Sequence, residues 1–148
     1  KAWSEALGHF TDTFDGHRLD ASLLLLADIG FIDAMDARFI ATVEAIGRDL
    51  KHGNSLYRYV APDDFGEPET TFTICTFWYI AALAAIGRMD EAREMFELLL
   101  KQRNHRGLRS EDLAFDGGEA WGNFPQTYSH VGLITAAMRL SRSWQEAS

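Results

Sequence analysis

The chain has 148 residues, 47% hydrophobic and 24% charged, with 14 Lys and Arg against 22 Asp and Glu for a formal net charge of −8. That length suits one domain able to bury roughly two-thirds of its unfolded surface, and the acidic balance excludes nucleic acid as an expected partner. The longest apolar run ends at Asp28, far short of the ~20 residues a bilayer span needs, so no membrane partner is expected either.

No basic stretch followed by an apolar one opens the chain, so no signal peptide is visible. The first residue is Lys1 rather than Met, which suggests a processed or excised product. A segment reading FTDTFDGHR precedes the first apolar stretch, Leu19 to Ile29 (LDASLLLLADI). That stretch is apolar nearly all round and predicts a buried helix. Gly30 is its expected stop, and Asp33 or Asp36 the cap of the next helix.

The next helix, about Ala37 to Leu50, places Ile40, Val43, Ala45 or Ile46 and Leu50 on one side, with Glu44, Arg48 and Asp49 elsewhere. It is amphipathic. After the segment YRYVAPDDFGEPE, Thr71 to Ile86 is apolar on most faces, Gly87 ends it, Asp90 is the expected cap, and Glu91 to Gln102 is again amphipathic. Cys75 lies inside the apolar member of this pair and reads as a small core residue. As the lone cysteine it rules out an internal disulfide and fits a reducing compartment, so a cytoplasmic location is expected.

The two turns, Gly30-Phe31-Ile32-Asp33 and Gly87-Arg88-Met89-Asp90, are offset by roughly 57 residues. A third apolar helix, Ser129 to Leu140, starts another unit after the segment GLRSEDLAFDGGEAWGNFPQTY. Repetition of a buried helix with an amphipathic one predicts an all-α single domain of hairpins in two layers. The three long segments should emerge at one end of the inner layer, where function concentrates.

Aromatics mixed with carboxylates and Arg suit carbohydrate, since a sugar ring offers an apolar face and a rim of hydroxyls. Tyr57, Arg58, Tyr59, Trp121, Phe124 and Tyr128 are the candidates, although each aromatic taken singly more often just anchors its loop. Hydrolysis of a glycosidic bond uses two carboxyl groups. The loops offer Asp63, Asp64, Glu67, Glu69, Glu111, Asp112, Asp116 and Glu119, of which Glu69 and Glu111 stand out amid apolar or aromatic neighbours. His130, at the start of the third apolar helix, reads best as a satisfied buried histidine. No His, Cys and carboxylate set has metal spacing, and no G-x-S-x-G, P-loop or G-x-G-x-x-G is present, so neither metal nor cofactor is expected.

LDASLLLLADIGF, LYRY, CTFWYIAALAAIGRMDEAREMFELLL, GLRSED and GNFPQTYSHVGLITAA, in this order, closely resemble the C-terminal part of bacterial glycoside hydrolase family 15. This is the family of glucoamylases, glucodextranases and trehalases, and the likeness runs from about Leu19 to Leu140. It implies the C-terminal portion of a toroid of six α-hairpins, inverting hydrolysis of a terminal α-glucosidic bond, and an α-glucoside as partner. It also implies that Glu111, in Ser110-Glu111-Asp112, is the general base, where the family often carries Glu-Glu. Arg58 and Tyr57 match a sugar-contacting loop, and by the same resemblance Trp121 and His130 line the pocket.

The family's general acid lies in an upstream W-E motif, and no W-E occurs in this sequence. The expectation is therefore a chain that is inactive by itself and that covers its unburied inner helices by self-association or by a companion segment of the same domain. The rival expectation is a non-catalytic helical repeat module that binds protein. GRMDEAREMFELLL resembles one helix of a tetratricopeptide unit, but those units recur about every 34 residues with short turns.

Overall fold

A computed structural model describes residues 1–61, 66, 68–114 and 119–141. The core is helical. It comprises α1 (Ala37–Asp49), α2 (Thr73–Ala85), α3 (Met89–Lys101) and α4 (Thr127–Leu140). Asp36 caps α1, its side chain accepting from the Arg38 N–H at 2.9 Å. At α3 the N-cap is Arg88 with no side-chain bond, and Asp90, the expected cap, falls in the first turn, two residues past it. Gly30 and Gly87 both adopt left-handed backbone, with φ of 72° and 86°. The repeated turn thus recurs as geometry.

Two expectations need correction. Leu19 to Ile29 is not a full α-helix: only Ala21–Leu25 is helical, as a 3₁₀ turn capped by Asp20. Its i to i+3 bonds, Leu23 N–H to Asp20 and Leu26 N–H to Leu23, are the tighter pattern. Burial fades along it: Leu23 and Leu24 are buried, Leu26 and Ala27 pack on the core only partly buried, and Ile29 is 72% exposed. A short helix without a packed face has too little to sustain it in water.

Nor is the chain all-α. Small antiparallel sheets join β1 (Trp3–Ser4) to β2 (His9–Phe10), β3 (Lys51–His52) to β4 (Ser55–Leu56), and β5 (Thr70–Phe72) to β6 (Asp112–Ala114) and on to β7 (Ala120–Trp121). Two- and three-residue strands carry no readable period-2 pattern, so the sequence hides them.

Helix α2 is the centre of the molecule, buried everywhere except at Trp78 and Ala85. On α3, Ala92, Met95 and Leu99 form the buried stripe at i, i+3, i+7. On α4 the buried stripe is Ser129, Gly132 and Ala136. These residues are small, so α4 lies close on α2: a Cβ at Gly132 would sit 2.5 Å from Ile74 Cδ1 and 2.9 Å from Phe77 Cβ. The two helices run in the same direction. Thr73 and Ser129, in their first turns, both bond to residues 110–111, and Arg139 reaches the Ala81 carbonyl at the far end. The opposite face of α4 is apolar and open, with Val131, Ile134 and Met138 50%, 58% and 73% exposed. No helix among the described residues is long and apolar enough to cross a membrane.

Candidate active site

The first turns of α2 and α4 meet at one short segment, Arg109-Ser110-Glu111. The Glu111 carbonyl accepts from the Thr73 N–H at 2.9 Å and the Ser110 carbonyl from the Ser129 hydroxyl at 2.9 Å. The Arg109 carbonyl accepts from the Gln126 N–H at 2.9 Å. All three backbone acceptors are therefore satisfied by residues that begin helices. Beneath them the Arg109 side chain is buried, donates to the Leu99 carbonyl at 2.8 Å, and stacks 5.4 Å above the Phe77 ring. Burial pulls its guanidinium down to about 10, helped by the nearby charge of Arg103.

Glu111 points its carboxylate at the segment after β7. Its Oε2 accepts from both the backbone N–H and the side-chain amide of Asn123, at 3.0 and 2.8 Å. The Glu111 N–H in turn donates to the Asn123 carbonyl at 3.0 Å. No described residue bonds Oε1. Gly122 has φ of 72°, and a Cβ there would lie 2.8 Å from Oε2. Only glycine lets the backbone turn and approach a carboxylate so closely.

The neighbouring Asp112 accepts from the Thr70 hydroxyl at 3.1 Å. Burial pushes its carboxyl up and the Glu111 charge adds to this, while the Thr70 bond opposes. Across the sheet Asp112 pairs with Trp121, which is 54% exposed. Phe124 and Tyr128, also exposed, extend an aromatic rim, with the Tyr128 ring edge-on to Trp78 at 5.8 Å.

The Tyr57 segment comes to the same end of α2. The Leu56 N–H donates to Thr76 Oγ1 at 3.0 Å, and the Arg58 carbonyl accepts from Ala21 N–H at 2.8 Å. Arg58 is exposed and pairs with Asp20 at 3.4 Å. Burial pushes the buried Cys75 thiol up, the charges of Asp20 and Asp112 add to this, and Arg58 opposes. Tyr57 is half-buried with its ring edge-on to His52 at 5.8 Å, and burial raises its hydroxyl. Glu69 is exposed just before β5, with no bond to Glu111.

His130 differs from the satisfied histidine of the sequence reading. Its Nδ1 pairs with the Gln126 carbonyl at 2.7 Å, but the buried Nε2 has no partner among the described residues. Asp63, Asp64, Glu67 and Asp116 lie outside the described residues, and Glu119 is exposed. Among the described residues no three metal-ligating side chains cluster. Residue type and spacing alone do not single out Asn123 and Gly122 inside the G-N-F-P-Q motif as site residues. A glycine beside an amide in a long loop was the available signal.

The family description "Glycosyl hydrolases family 15" matches residues 3–138. A trehalase of Thermoplasma volcanium is 36% identical over 144 residues, covering 97% of this chain and 23% of the relative. A trehalase of Mycobacterium tuberculosis is 36% identical, with 97% and 22% covered. The likeness is thus not confined to bacteria, and the chain spans about a quarter of the length of these relatives. Among solved structures, a wild-type glycosidase superposes with a TM-score of 0.79 at 20% identity, over 94% of this chain and 40% of its own. The unsaturated glucuronyl hydrolase of Bacillus sp. GL1 reaches 0.59 at 17% identity, over 98% and 48%. At these identities both likenesses speak for the fold alone.

Proposed function

Because the chain belongs to the glycosyl hydrolases of family 15, we propose that it serves inverting hydrolysis of a terminal α-glucosidic bond, with Glu111 as general base. The observation that carries this is the one-sided holding of the Glu111 carboxylate: two N–H donors engage Oε2, and no described residue bonds Oε1. A base must stay ionised, stay aimed and keep one oxygen for a water. Glu111 takes the proton of that water as its oxygen attacks C1 from the face opposite the leaving group, and a carboxylic acid protonates the departing oxygen. Inverting pairs of carboxyl groups stand roughly 6.5–9.5 Å apart to admit the water.

The exposed Arg58 and the rim of Trp121, Phe124 and Tyr128 supply the chemistry a glucose ring calls for. In this proposal Arg58 and Tyr57 contact hydroxyls, and Trp121, His130 and Glu69 line the pocket. Trehalose is the first substrate to test, given the trehalase relatives. The general acid is assigned to no residue of this chain, so the 148 residues alone are proposed to be inactive. The helices are proposed as the C-terminal portion of a six-hairpin toroid, a single domain in which the open apolar face of α4 is a packing seam. The family match over residues 3–138 favours this reading over the protein-binding alternative.

The test is hydrolysis of trehalose and maltose by the intact gene product, with the product anomer read by NMR. The expected result is one β-glucose and one α-glucose from each trehalose, β-glucose from the non-reducing end of maltose, a loss of about 10³-fold or more in kcat with Glu111→Gln, and no turnover by the 148-residue chain. Near-normal turnover by Glu111→Gln overturns Glu111 as base. Turnover by the 148-residue chain, abolished by Glu111→Gln, overturns its inactivity.

A further inference from the structure

The hydrogen bonds between residues 111 and 123 form a closed exchange. Glu111 N–H donates to the Asn123 carbonyl, and Asn123 returns two N–H groups to one carboxylate oxygen. We infer that Asn123 is a positioning residue, its amide and backbone N–H fixing the Glu111 carboxylate so that Oε1 alone is presented to a water, with Gly122 as the wall behind it. This rests on Glu111 being the base.

Three features make the device more than a loop bond. The donors converge on a single oxygen, at 2.8 and 3.0 Å, which removes rotation about the last torsion of the side chain. Bonds to an ionised acceptor are short and directional. Gly122 packs against the same side chain, since a Cβ there would stand 2.8 Å from Oε2 and 3.0 Å from the Glu111 Cβ. Both ends of the arrangement are anchored to helices: Glu111 through the Thr73 N–H, and the segment after Asn123 through Gln126 N–H to the Arg109 carbonyl. A carboxylate held this way cannot drift, and drift of a base is costly: about 1 Å of misplacement can cost 10²-fold in rate.

The experiment compares Asn123→Ala, Asn123→Asp, Gly122→Ala and Glu111→Gln in the intact gene product, reading kcat and KM separately and folding by circular dichroism. Asn123→Ala should lower kcat about 10- to 100-fold with KM changed less than about twofold, as an interaction made for the transition state predicts. Asn123→Asp keeps the shape but turns a donor into an acceptor facing Oε2, and should fall below Asn123→Ala. Gly122→Ala should lower kcat in the same manner. If Asn123 were only a packing residue, the isosteric Asp would be the milder change. Activity of Asn123→Asp at or above that of Asn123→Ala overturns the inference, and full activity of Asn123→Asp does so even if Asn123→Ala does not fold. Should Glu111→Gln be inactive while Asn123→Ala is normal, the positioning role fails and the base stands. Should Glu111→Gln be active, the base itself fails.

Discussion

The Ser129 hydroxyl donates to the Ser110 carbonyl over 2.9 Å, fastening the first turn of α4 to the residue before Glu111. Ser129 is wholly buried, so no water can replace it. Ser129→Ala should cost roughly 1–3 kcal/mol, the penalty for an orphaned buried acceptor. Urea unfolding checks this, and an unchanged midpoint would refute it.

Gly132 sets the distance between α4 and α2. The Cβ of Gly132→Ala would meet Ile74 and the Phe77 Cβ at 2.5 and 2.9 Å, on a helix face that cannot retreat locally. The expected loss is about 1–3 kcal/mol, the usual cost of overpacking, again by urea unfolding.

On the other face of α4, Ile134→Ser touches an exposed residue and should leave stability within about 0.5 kcal/mol. We propose that the 148-residue chain, without a companion segment to cover the open stripe of Val131, Ile134 and Met138, self-associates through it, and Ile134→Ser should weaken that association. Sedimentation velocity of wild type and variant over a concentration series tests both parts. A wild-type monomer at every concentration would refute the association.

Asp112 gives a pH dependence of definite sign. Its carboxyl is pushed above the ordinary value, first by burial and then by the Glu111 charge. The protonated form is favoured in the folded state, so its contribution is fully present below the unfolded value and is lost as pH rises through the folded one. Asp112→Asn, which can still accept from Thr70, should be more stable than wild type at neutral pH, with the gap closing toward pH 3–4. Thermal melts across that range check the sign.

Cys75 is fully buried, and its thiol is pushed far up by that burial. Alkylating reagents act on the thiolate. Native protein should therefore resist iodoacetamide at pH 8 and label completely in denaturant, as mass spectrometry would read directly.

Much of this molecule was legible as periodicity. The stripe of Ala92, Met95 and Leu99 on α3 and the all-round apolar run that became α2 follow from side-chain spacing, and the glycines at 30 and 87 end their segments as left-handed turns. The Leu-rich stretch before Gly30 misled because composition says how apolar a segment is and not how much of it finds a partner. Its second half is at most partly buried and ends exposed at Ile29, and the helix shortens to the 3₁₀ segment Ala21–Leu25. The strands β5 to β7 are too short to leave a pattern, yet they carry Asp112 and Trp121 into register.

The chemistry divides in the same way. Glu111 could be named because Ser110-Glu111-Asp112 resembles a short motif of the family, and such a motif is a local feature of the chain; the residues alone left Glu69 beside it. Its restraint by Asn123, twelve residues on, the approach of Gly122 and the convergence of Arg58 on the end of α2 required the folded chain. Side-chain type and spacing are written along one dimension, and the sequence by itself determined the helices α1 to α4 and the buried stripe of α3, but not the short helix before Gly30 or the small-residue face that α4 buries. Which oxygen of the Glu111 carboxylate is held is a matter of distances between segments brought together by packing. Only the tertiary structure could decide it.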